Sequence, residues 1–308
     1  MSKKMPLAVF SLAVLCGTAQ ANLIDLGAAG GFNLFALGNF SSSGSDTEGA
    51  MAVAGHFAVN SYSVNSNNLP GVGGYALAVG GKLSFSSGMI HHGLYSAGGS
   101  LSLTNVGLDN ASSGAALSAN DFATMSQHVK SLSSGLGGVA STGSATVRFG
   151  GMNFTGNGGA TTQVFNVSGS ALSSVTYFNF SDLQTGQSMV VNVSGASATL
   201  VGGWQAFAPY DALFNFYEAN AVNFNSVGPV GTILAPLATV TGGNGAINGN
   251  VVVNNWNSNV QINSNHYWKA SEVTGYAPLN TVPEPGTAAL ALAGLAAAMA
   301  GLFRRRRA

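Results

Sequence analysis

Short apolar strands separated by small-residue corners recur in the first half of the chain. Three such phrases occupy residues 51–57, 77–83 and 95–101. Their glycines Gly55, Gly81 and Gly99 mark the same point in each phrase, at unequal steps along the chain. Repeats of about 20 residues with this content are typical of folds in which successive coils stack and bury a continuous apolar interior.

The second half of the chain repeats the longer of these steps. An Asn-Val-Ser-Gly phrase at residues 166–169 returns at residues 192–195, the same step that separates Gly55 from Gly81. Glycine and asparagine are the residues that most readily take the left-handed conformation that sharp corners need. The pattern predicts an all-β fold, a β-solenoid whose interior is filled by apolar side chains. A β-sandwich predicts a similar density of strands and is the alternative.

One segment departs from the β pattern. Between residues 118 and 136, five apolar residues recur at spacings of three and four. They are Phe122, Met125, Val129, Leu132 and Leu136. Ser118 or Asn120 can cap the start of a helix here, and Gly135, Gly137 and Gly138 can end it. The spacing predicts a single amphipathic α-helix that lies along the β coils.

The first residues have the organisation of an export signal. Two lysines precede an apolar run at residues 7–16, and Ala19 and Ala21 form a small-x-small cleavage site. This order predicts a signal peptide over residues 1–21, transport by the Sec translocon and a mature chain that begins at Asn22. Cys16 is the single cysteine and lies inside the signal peptide, so the mature chain has no disulfide framework.

The last residues have the organisation of a membrane anchor. Val282, Pro283, Glu284 and Pro285 precede an uncharged apolar run at residues 287–303. Those 17 residues would form a helix of roughly 25 Å, at the short end of what spans a bilayer. Four basic residues follow, which the positive-inside rule keeps in the cytoplasm. They are Arg304, Arg305, Arg306 and Arg307. Residues 271–281 are predicted to be a linker.

Charge is scarce between the two terminal segments. Only four basic residues lie between residues 22 and 281, against nine acidic residues, which gives a formal charge of −5. The basic residues are Lys82, Lys130, Arg148 and Lys269. A charge-poor, weakly acidic surface argues against nucleic acid or anionic lipid as a partner of this part of the chain.

The C-terminal segment resembles the PEP-CTERM sorting signal of Gram-negative bacteria, because the Pro-Glu-Pro motif, the apolar run and the basic tail occur in the same order. The resemblance implies processing by exosortase, a membrane protease that recognises this motif. The chain would then be an inner-membrane-anchored intermediate that is cleaved near residues 283–286 and released to the cell surface or extracellular matrix. An ordinary tail anchor, which needs no Pro-Glu-Pro motif, is the alternative.

The central part resembles the choice-of-anchor A domain. Matching phrases lie near its start, at residues 33–38, 45–49, 52–55 and 77–81, and near its end, at residues 214–219, 231–236 and 248–249. His266 lies near the close of the match, and Tyr217 stands where family members often have proline. The resemblance covers most of residues 22–270. It implies an ice-binding-like adhesive domain, a right-handed β-helix with one flanking helix.

Asp46 and Glu48 are the strongest candidates for a catalytic pair, because residues two apart on a strand point to the same side. Enzymes that cleave polysaccharides need such a pair of carboxyl groups. No third acid, base or arginine clusters nearby in the sequence, so we interpret both as structural or cation-binding carboxylates. Glu218 is interpreted in the same way, as a buried carboxylate that pairs with His266 or Lys269. No catalytic residue is predicted.

His91 and His92 are the strongest candidates for metal ligands. Adjacent strand residues face opposite sides, and no carboxylate or cysteine lies close in the sequence. The pair is therefore interpreted as a solvated turn, and neither a metal nor another cofactor is predicted.

The sequence as a whole predicts an exported, non-enzymatic protein of the cell surface or extracellular matrix. Its role would be adhesive or structural within a biofilm, with exopolysaccharide as a partner. The first alternative is a polysaccharide-cleaving enzyme that uses Asp46 and Glu48. The second is an ice-binding protein, which needs a ladder of Thr-x-Thr pairs, whereas the sequence offers the single pair Thr239 and Thr241.

Overall fold

A computed structural model of the protein describes residues 21–278. Two predicted segments lie outside the described residues: the signal peptide up to residue 20, and the whole of residues 282–308 with the sorting motif, the membrane helix and the arginine tail. Within residues 21–278, no helix is both long enough and apolar enough to cross a membrane.

The described chain consists mainly of β-strands with few helices. Before the long helix the strands are β1 (Ala21–Ile24), β2 (Leu34–Ala36), β3 (Phe40–Thr47), β4 (Met51–Val53), β5 (Phe57–Val64), β6 (Tyr75–Val79), β7 (Leu83–Ala97) and β8 (Leu101–Ser113). The long helix is α1 (Ala119–Gly137). Short 3₁₀ segments occur at Gly27–Gly31, Val72–Gly74 and Trp204–Phe207.

The strands after the long helix are shorter on average. They are β9 (Ser144–Arg148), β10 (Gly151–Thr155), β11 (Thr162–Ser168), β12 (Tyr177–Ser181), β13 (Ser188–Ser194), β14 (Ser197–Leu200), β15 (Asp211–Asn215), β16 (Ala221–Asn225), β17 (Thr232–Gly243), β18 (Ala246–Asn248), β19 (Val251–Ser258), β20 (Gln261–Asn263) and β21 (Ser271–Thr274). A one-turn helix, α2 (Gly169–Leu172), follows β11.

Parallel pairing dominates. Apart from the pair of β10 with β12, the parallel pairs between strands fall into three series of neighbouring strands. The first series runs β11, β13, β15, β17, β19, β2, β4, β6 and the end of β7. The second runs β14, β16, β17, β19, β3, β5, β7 and β8. The third joins β18, β20 and the later parts of β3, β5, β7 and β8.

The parallel registers decide against the alternative architecture. A β-sandwich is built from antiparallel strands joined by hairpins and Greek-key connections. Among the described residues, antiparallel pairing is confined to β9 with β10 and β1 with β21. Long strands such as β3 and β7 instead continue from one parallel series into the next. One neighbour stays the same, whereas the other changes from β19 to β20 along β3 and from β5 to β6 along β7.

The order of strands in space differs from their order along the chain. Strand β19 pairs with β2 and β3, so residues 251–257 lie beside residues 34–41 in the middle of the stack. Strand β8 lies at one end; after α1 the chain forms β9 and β10, which pair with β12 in a separate sheet, and then enters the other end of the stack with β11. The 19 residues of α1 form a helix about 28 Å long, which is enough to span several neighbouring strands.

Helix α1 confirms the helical prediction. Ser118 is its N-cap: the Ser118 side chain accepts a hydrogen bond from the Asp121 backbone, and the Asp121 side chain accepts one from the Ser118 backbone. The five apolar residues at spacings of three and four are all buried. They pack on outward side chains of the first series, which include Phe35, Leu213 and Leu234.

A ladder of asparagines fastens the end of α1 to the first series. Asn192 donates from Nδ2 to the Leu136 carbonyl oxygen at 2.7 Å, and Asn215 donates from Nδ2 to the Ser133 carbonyl oxygen at 2.9 Å. Asn192 and Asn215, which are themselves buried, therefore hold the last two turns of α1 against the first series.

Part of the segment that was predicted to be a linker is paired with another strand. Strand β21 lies within residues 271–281 and pairs antiparallel with β1, which begins at the predicted cleavage site. Ala21 pairs with Thr274, and Asn22 with Val273. Val273 is buried, and the Asn22 side chain donates to the Tyr276 carbonyl oxygen at 2.6 Å. Apolar burial and pairing with the other terminus therefore make residues 271–276 part of the folded body.

Candidate functional site

One outward-facing surface carries an array of small polar side chains, and we call it the polar face. It is formed by the second series of strands, in which every second residue points away from the interior. One row of this face crosses eight strands in register. Its members are Thr199, Asn223, Thr241, Asn257, Ser41, Ala58, Ser84 and Ser102. With neighbouring strands about 4.8 Å apart, the row extends over about 34 Å.

A second row lies two residues further along four of the same strands. It consists of Ser43, Asn60, Ser86 and Thr104, all of which are exposed. A shallow depression of about 300 Å³ lies across the two rows, and its lining includes Asn60, Ser86 and Thr104. None of the side chains in the two rows carries a charge.

Contacts on both sides of the sheet hold the polar face rigid. On the surface, Asn223 donates from Nδ2 to Thr241 Oγ1 at 3.0 Å, and Ser41 donates from Oγ to Asn257 Oδ1 at 3.2 Å. In the interior, the residues that alternate with the row are buried aromatic and aliphatic side chains such as Trp256. Side chains that are already ordered lose little entropy when a ligand binds.

Glu48 is held by three donors from other parts of the chain. Its Oε2 accepts hydrogen bonds from the Ser264 backbone nitrogen at 2.8 Å, from Asn67 Nδ2 at 3.0 Å and from Ser264 Oγ at 3.2 Å. Asp46 Oδ2 accepts a single hydrogen bond from Gln261 Nε2 at 3.3 Å. Both carboxylates therefore accept hydrogen bonds from residues 261–264, near the end of the domain. Glu48 also accepts one from Asn67, so it connects the early and late parts of the chain.

We expect Asp46→Asn to stabilise the protein at neutral pH. Burial raises the pKa of the Asp46 carboxyl, the charge of Glu48 raises it further, and the hydrogen bond from Gln261 lowers it. Because the pKa is higher in the folded than in the unfolded state, the protonated form favours folding, and that stability is lost as the pH rises through the folded pKa. The gain should stay below about 1 kcal/mol, since solvent screens this partly exposed group.

Urea unfolding at about pH 3 and about pH 7 measures this effect. The free energy of unfolding of Asp46→Asn should exceed that of the wild type at the higher pH, and the difference should shrink at the lower pH. Asp182→Asn, at an exposed turn, is the control. A larger stabilisation at low pH than at neutral pH would contradict the expectation.

The structure corrects the interpretation of Glu218. This side chain is exposed rather than buried, and its Oε2 accepts a hydrogen bond from the Gly195 backbone nitrogen at 2.7 Å. Gly195 has a φ of 104°, so the carboxylate stabilises a corner that glycine adopts easily. Among the described residues, Glu218 forms no ion pair with His266 or Lys269. The Lys269 backbone nitrogen donates to Asp211 Oδ2 at 3.2 Å, and burial raises the pKa of the Asp211 carboxyl.

The structure also corrects the interpretation of the two histidines. His91 Nδ1 lies 3.0 Å from Asp109 Oδ2, and His92 Nε2 lies 3.7 Å from the same oxygen. The expectation that the histidines face opposite sides is wrong, because His92 has a φ of 44° and interrupts the alternation of the strand. One sequence signal could have found Asp109: it follows His91 by the same step that separates Gly81 from Gly99.

Two family models match the chain. A model for an ice-binding-like adhesive domain matches residues 25–264, and a model of the PEP-CTERM protein-sorting motif matches residues 281–307. No curated protein matches the chain. The crystal structure of an ice-binding protein from the Antarctic ascomycete Antarctomyces psychrotrophicus is similar at 13% identity, over 79% of this chain and 97% of that one, with a TM-score of 0.33.

The two family matches together account for most of the chain. The sorting motif implies processing by exosortase and an exported, cell-surface protein. The match to the adhesive domain includes every described strand from β2 to β20. The chain therefore belongs to the ice-binding-like adhesive domain family and carries a PEP-CTERM sorting signal.

Proposed function

We propose that this protein is a non-enzymatic adhesin whose polar face binds a neutral, hydroxyl-rich extracellular polysaccharide. The observation that carries the proposal is the row of small uncharged side chains across eight parallel strands, all of them polar except Ala58. Hydroxyl and amide groups can both donate and accept hydrogen bonds, as sugar hydroxyls do. A regular row about 34 Å long offers many such contacts to an extended polymer.

The architecture suits this role. We propose that the three parallel series close into one right-handed β-solenoid over residues 22–270, as the resemblance to choice-of-anchor A domains implies. Support comes from a single apolar cluster that takes residues from all three series, among them Leu34, Phe40 and Ile262. A stack of this kind keeps outward rows in register over its whole length.

Export and processing place the domain where such a ligand occurs. In this proposal, residues 1–21 are removed during Sec transport, and residues 287–303 hold the chain in the inner membrane. Exosortase then recognises Pro283, Glu284 and Pro285 and releases the domain to the cell surface or the matrix of a biofilm. The four arginines of the tail stay on the cytoplasmic side until cleavage.

The position of Glu48 supports a non-enzymatic role. A carboxyl group that cleaves glycosidic bonds must reach the substrate and change its protonation state during the reaction. The Glu48 carboxylate already accepts three hydrogen bonds from Ser264 and Asn67. Its removal should therefore affect how the chain is held together rather than a reaction.

Binding to exopolysaccharide from the cells that produce the protein tests the proposal. We expect the double variant Ala58→Asp, Ser84→Asp to bind at least about tenfold more weakly, a loss of about 1.4 kcal/mol. The two carboxylates would lie side by side where the two rows of the polar face overlap, and would lose water without gaining a suitable partner. Cosedimentation of the exported protein with the polysaccharide measures the change.

A matched control separates the polar face from charge in general. Thr161→Asp, Thr185→Asp adds two carboxylates at exposed positions outside the polar face and should leave binding unchanged. Equal binding by both double variants would refute the proposal. Release of new reducing ends by the wild type, lost in Asp46→Asn and Glu48→Gln, would favour the enzyme instead. Thermal hysteresis lost with Ala58→Asp, Ser84→Asp would favour ice as the ligand.

A further inference from the structure

Two histidines and an aspartate converge where β7 and β8 turn a corner. The side chains of His91, His92 and Asp109 each offer one ligand atom, and these atoms all lie within 4.8 Å of one another. The three side chains are partly buried, with exposed fractions of 19%, 29% and 44%. None of them belongs to the polar face.

The backbone brings these side chains together in two ways. Strands β7 and β8 are parallel, with Asp109 directly opposite His91. His92 then takes the left-handed conformation, with a φ of 44°. So do Asn65, directly after β5, with a φ of 62°, and Asn110 in β8, with a φ of 53°. Histidine and asparagine tolerate this conformation better than most residues. The turn at His92 places its ring on the same side as that of His91, with 6.2 Å between the ring centroids.

Neighbouring side chains hold the cluster in place. Asn65 donates from Nδ2 to the carbonyl oxygens of both His91 and His92, at 3.1 and 3.0 Å. His91 Nε2 lies 3.1 Å from Ser63 Oγ, which leaves Nδ1 directed at Asp109. In protein metal sites, groups that hydrogen-bond to the ligands without touching the metal orient the imidazole rings in the same way.

We propose that His91, His92 and Asp109 form a binding site for Zn²⁺ or a similar divalent transition metal. Zinc at about 2.0–2.2 Å from its ligands places neighbouring tetrahedral ligands about 3.3–3.5 Å apart. The distances from Asp109 Oδ2 to the two histidine nitrogens, 3.0 and 3.7 Å, lie on either side of that value. Small rotations of the side chains would therefore complete three of the four positions.

The ligand types select the class of metal. Imidazole nitrogens suit zinc, copper, nickel and iron, whereas calcium and magnesium take oxygen ligands almost exclusively. A set of two nitrogens and one carboxylate leaves a position open for water or for a further ligand. The bound metal would join β7 to β8, the strand at the end of the stack, and would resist the loss of that strand.

Zinc binding by the full chain, purified in detergent without a histidine tag, tests the proposal. Competition with a chromophoric chelator should show one site per chain in the wild type. Asp109→Asn and His92→Asn should each weaken binding at least about 100-fold, since each removes a direct ligand. Asparagine suits both positions, because it matches the shape of Asp109 and tolerates the backbone of His92. Zinc should raise the Tm of the wild type and leave that of both variants unchanged.

The control is His266→Asn. His266 lies outside the cluster and is exposed, and like His92 it has a left-handed backbone, with a φ of 50°. This variant should bind zinc as the wild type does. Zinc binding that survives both Asp109→Asn and His92→Asn, or that is lost in His266→Asn, would overturn the proposal. So would a wild type that binds no zinc against the chelator.

Discussion

Phe40→Ala is expected to lower the free energy of unfolding by about 3–5 kcal/mol, the range for truncating a buried aromatic side chain. The Phe40 ring is stacked between Phe57, at a centroid distance of 5.2 Å, and Trp256, at 6.0 Å. All three side chains are almost completely buried. Phe40 therefore joins strands from the beginning and the end of the domain, and its removal leaves a cavity between them.

Urea unfolding followed by tryptophan fluorescence measures this loss, because Trp256 is one of the three tryptophans and contacts the mutated position. Phe149→Ala removes a ring that is 95% exposed and should change the free energy of unfolding by less than about 0.5 kcal/mol. A similar small effect of Phe40→Ala would mean that the two parts of the chain do not share a core.

Asn33→Ala is expected to cost about 2–4 kcal/mol, because it leaves several buried polar groups without a partner. Asn33 is 1% exposed. Its Nδ2 donates to the carbonyl oxygens of Gly249 and Asn263 at 3.0 and 3.1 Å, and its Oδ1 accepts from the Gly49 nitrogen at 2.9 Å. One side chain thus joins the start of the chain to two later turns.

Thermal and urea unfolding of Asn33→Ala and Asn33→Asp test this role. The aspartate variant keeps the acceptor for Gly49 but turns a carboxylate towards two carbonyl oxygens, so it should be destabilised at least as strongly at neutral pH. Asn225→Ala, at an exposed position of β16, is the control and should be nearly neutral. Stability unchanged in Asn33→Asp would contradict the hydrogen-bonding role.

Local features were predictable because their causes lie within a few residues. The helix followed from five apolar residues at spacings of three and four and from the cap at Ser118, and all of these appear in the structure. The strand content followed from the repeated apolar phrases. The environment of Glu218 was not predictable from the sequence. Glu218 follows β15, whereas the corner at Gly195 that its carboxylate stabilises follows the neighbouring strand β13.

The candidate sites depended on the register between strands. The polar face consists of one or two residues from each of eight strands, and no member has a distinctive neighbour in sequence. The cluster of His91, His92 and Asp109 needs both the pairing of β7 with β8 and a left-handed residue at position 92. Backbone conformation at a single residue reverses the side of a strand on which a side chain lies, and alternation alone cannot reveal it.

The sequence by itself determined the short strands, the helix and the family of the sorting signal, because periodicity, capping and a contiguous motif are local properties. The tertiary structure alone decided that β19 pairs with β2 and β3, so that the two ends of the domain meet within the stack. It also decided which small polar residues form one face. Both the strand order and the polar face depend on burying one apolar interior between strands from opposite ends of the domain. Contacts between residues so far apart in the chain leave no local pattern in the sequence.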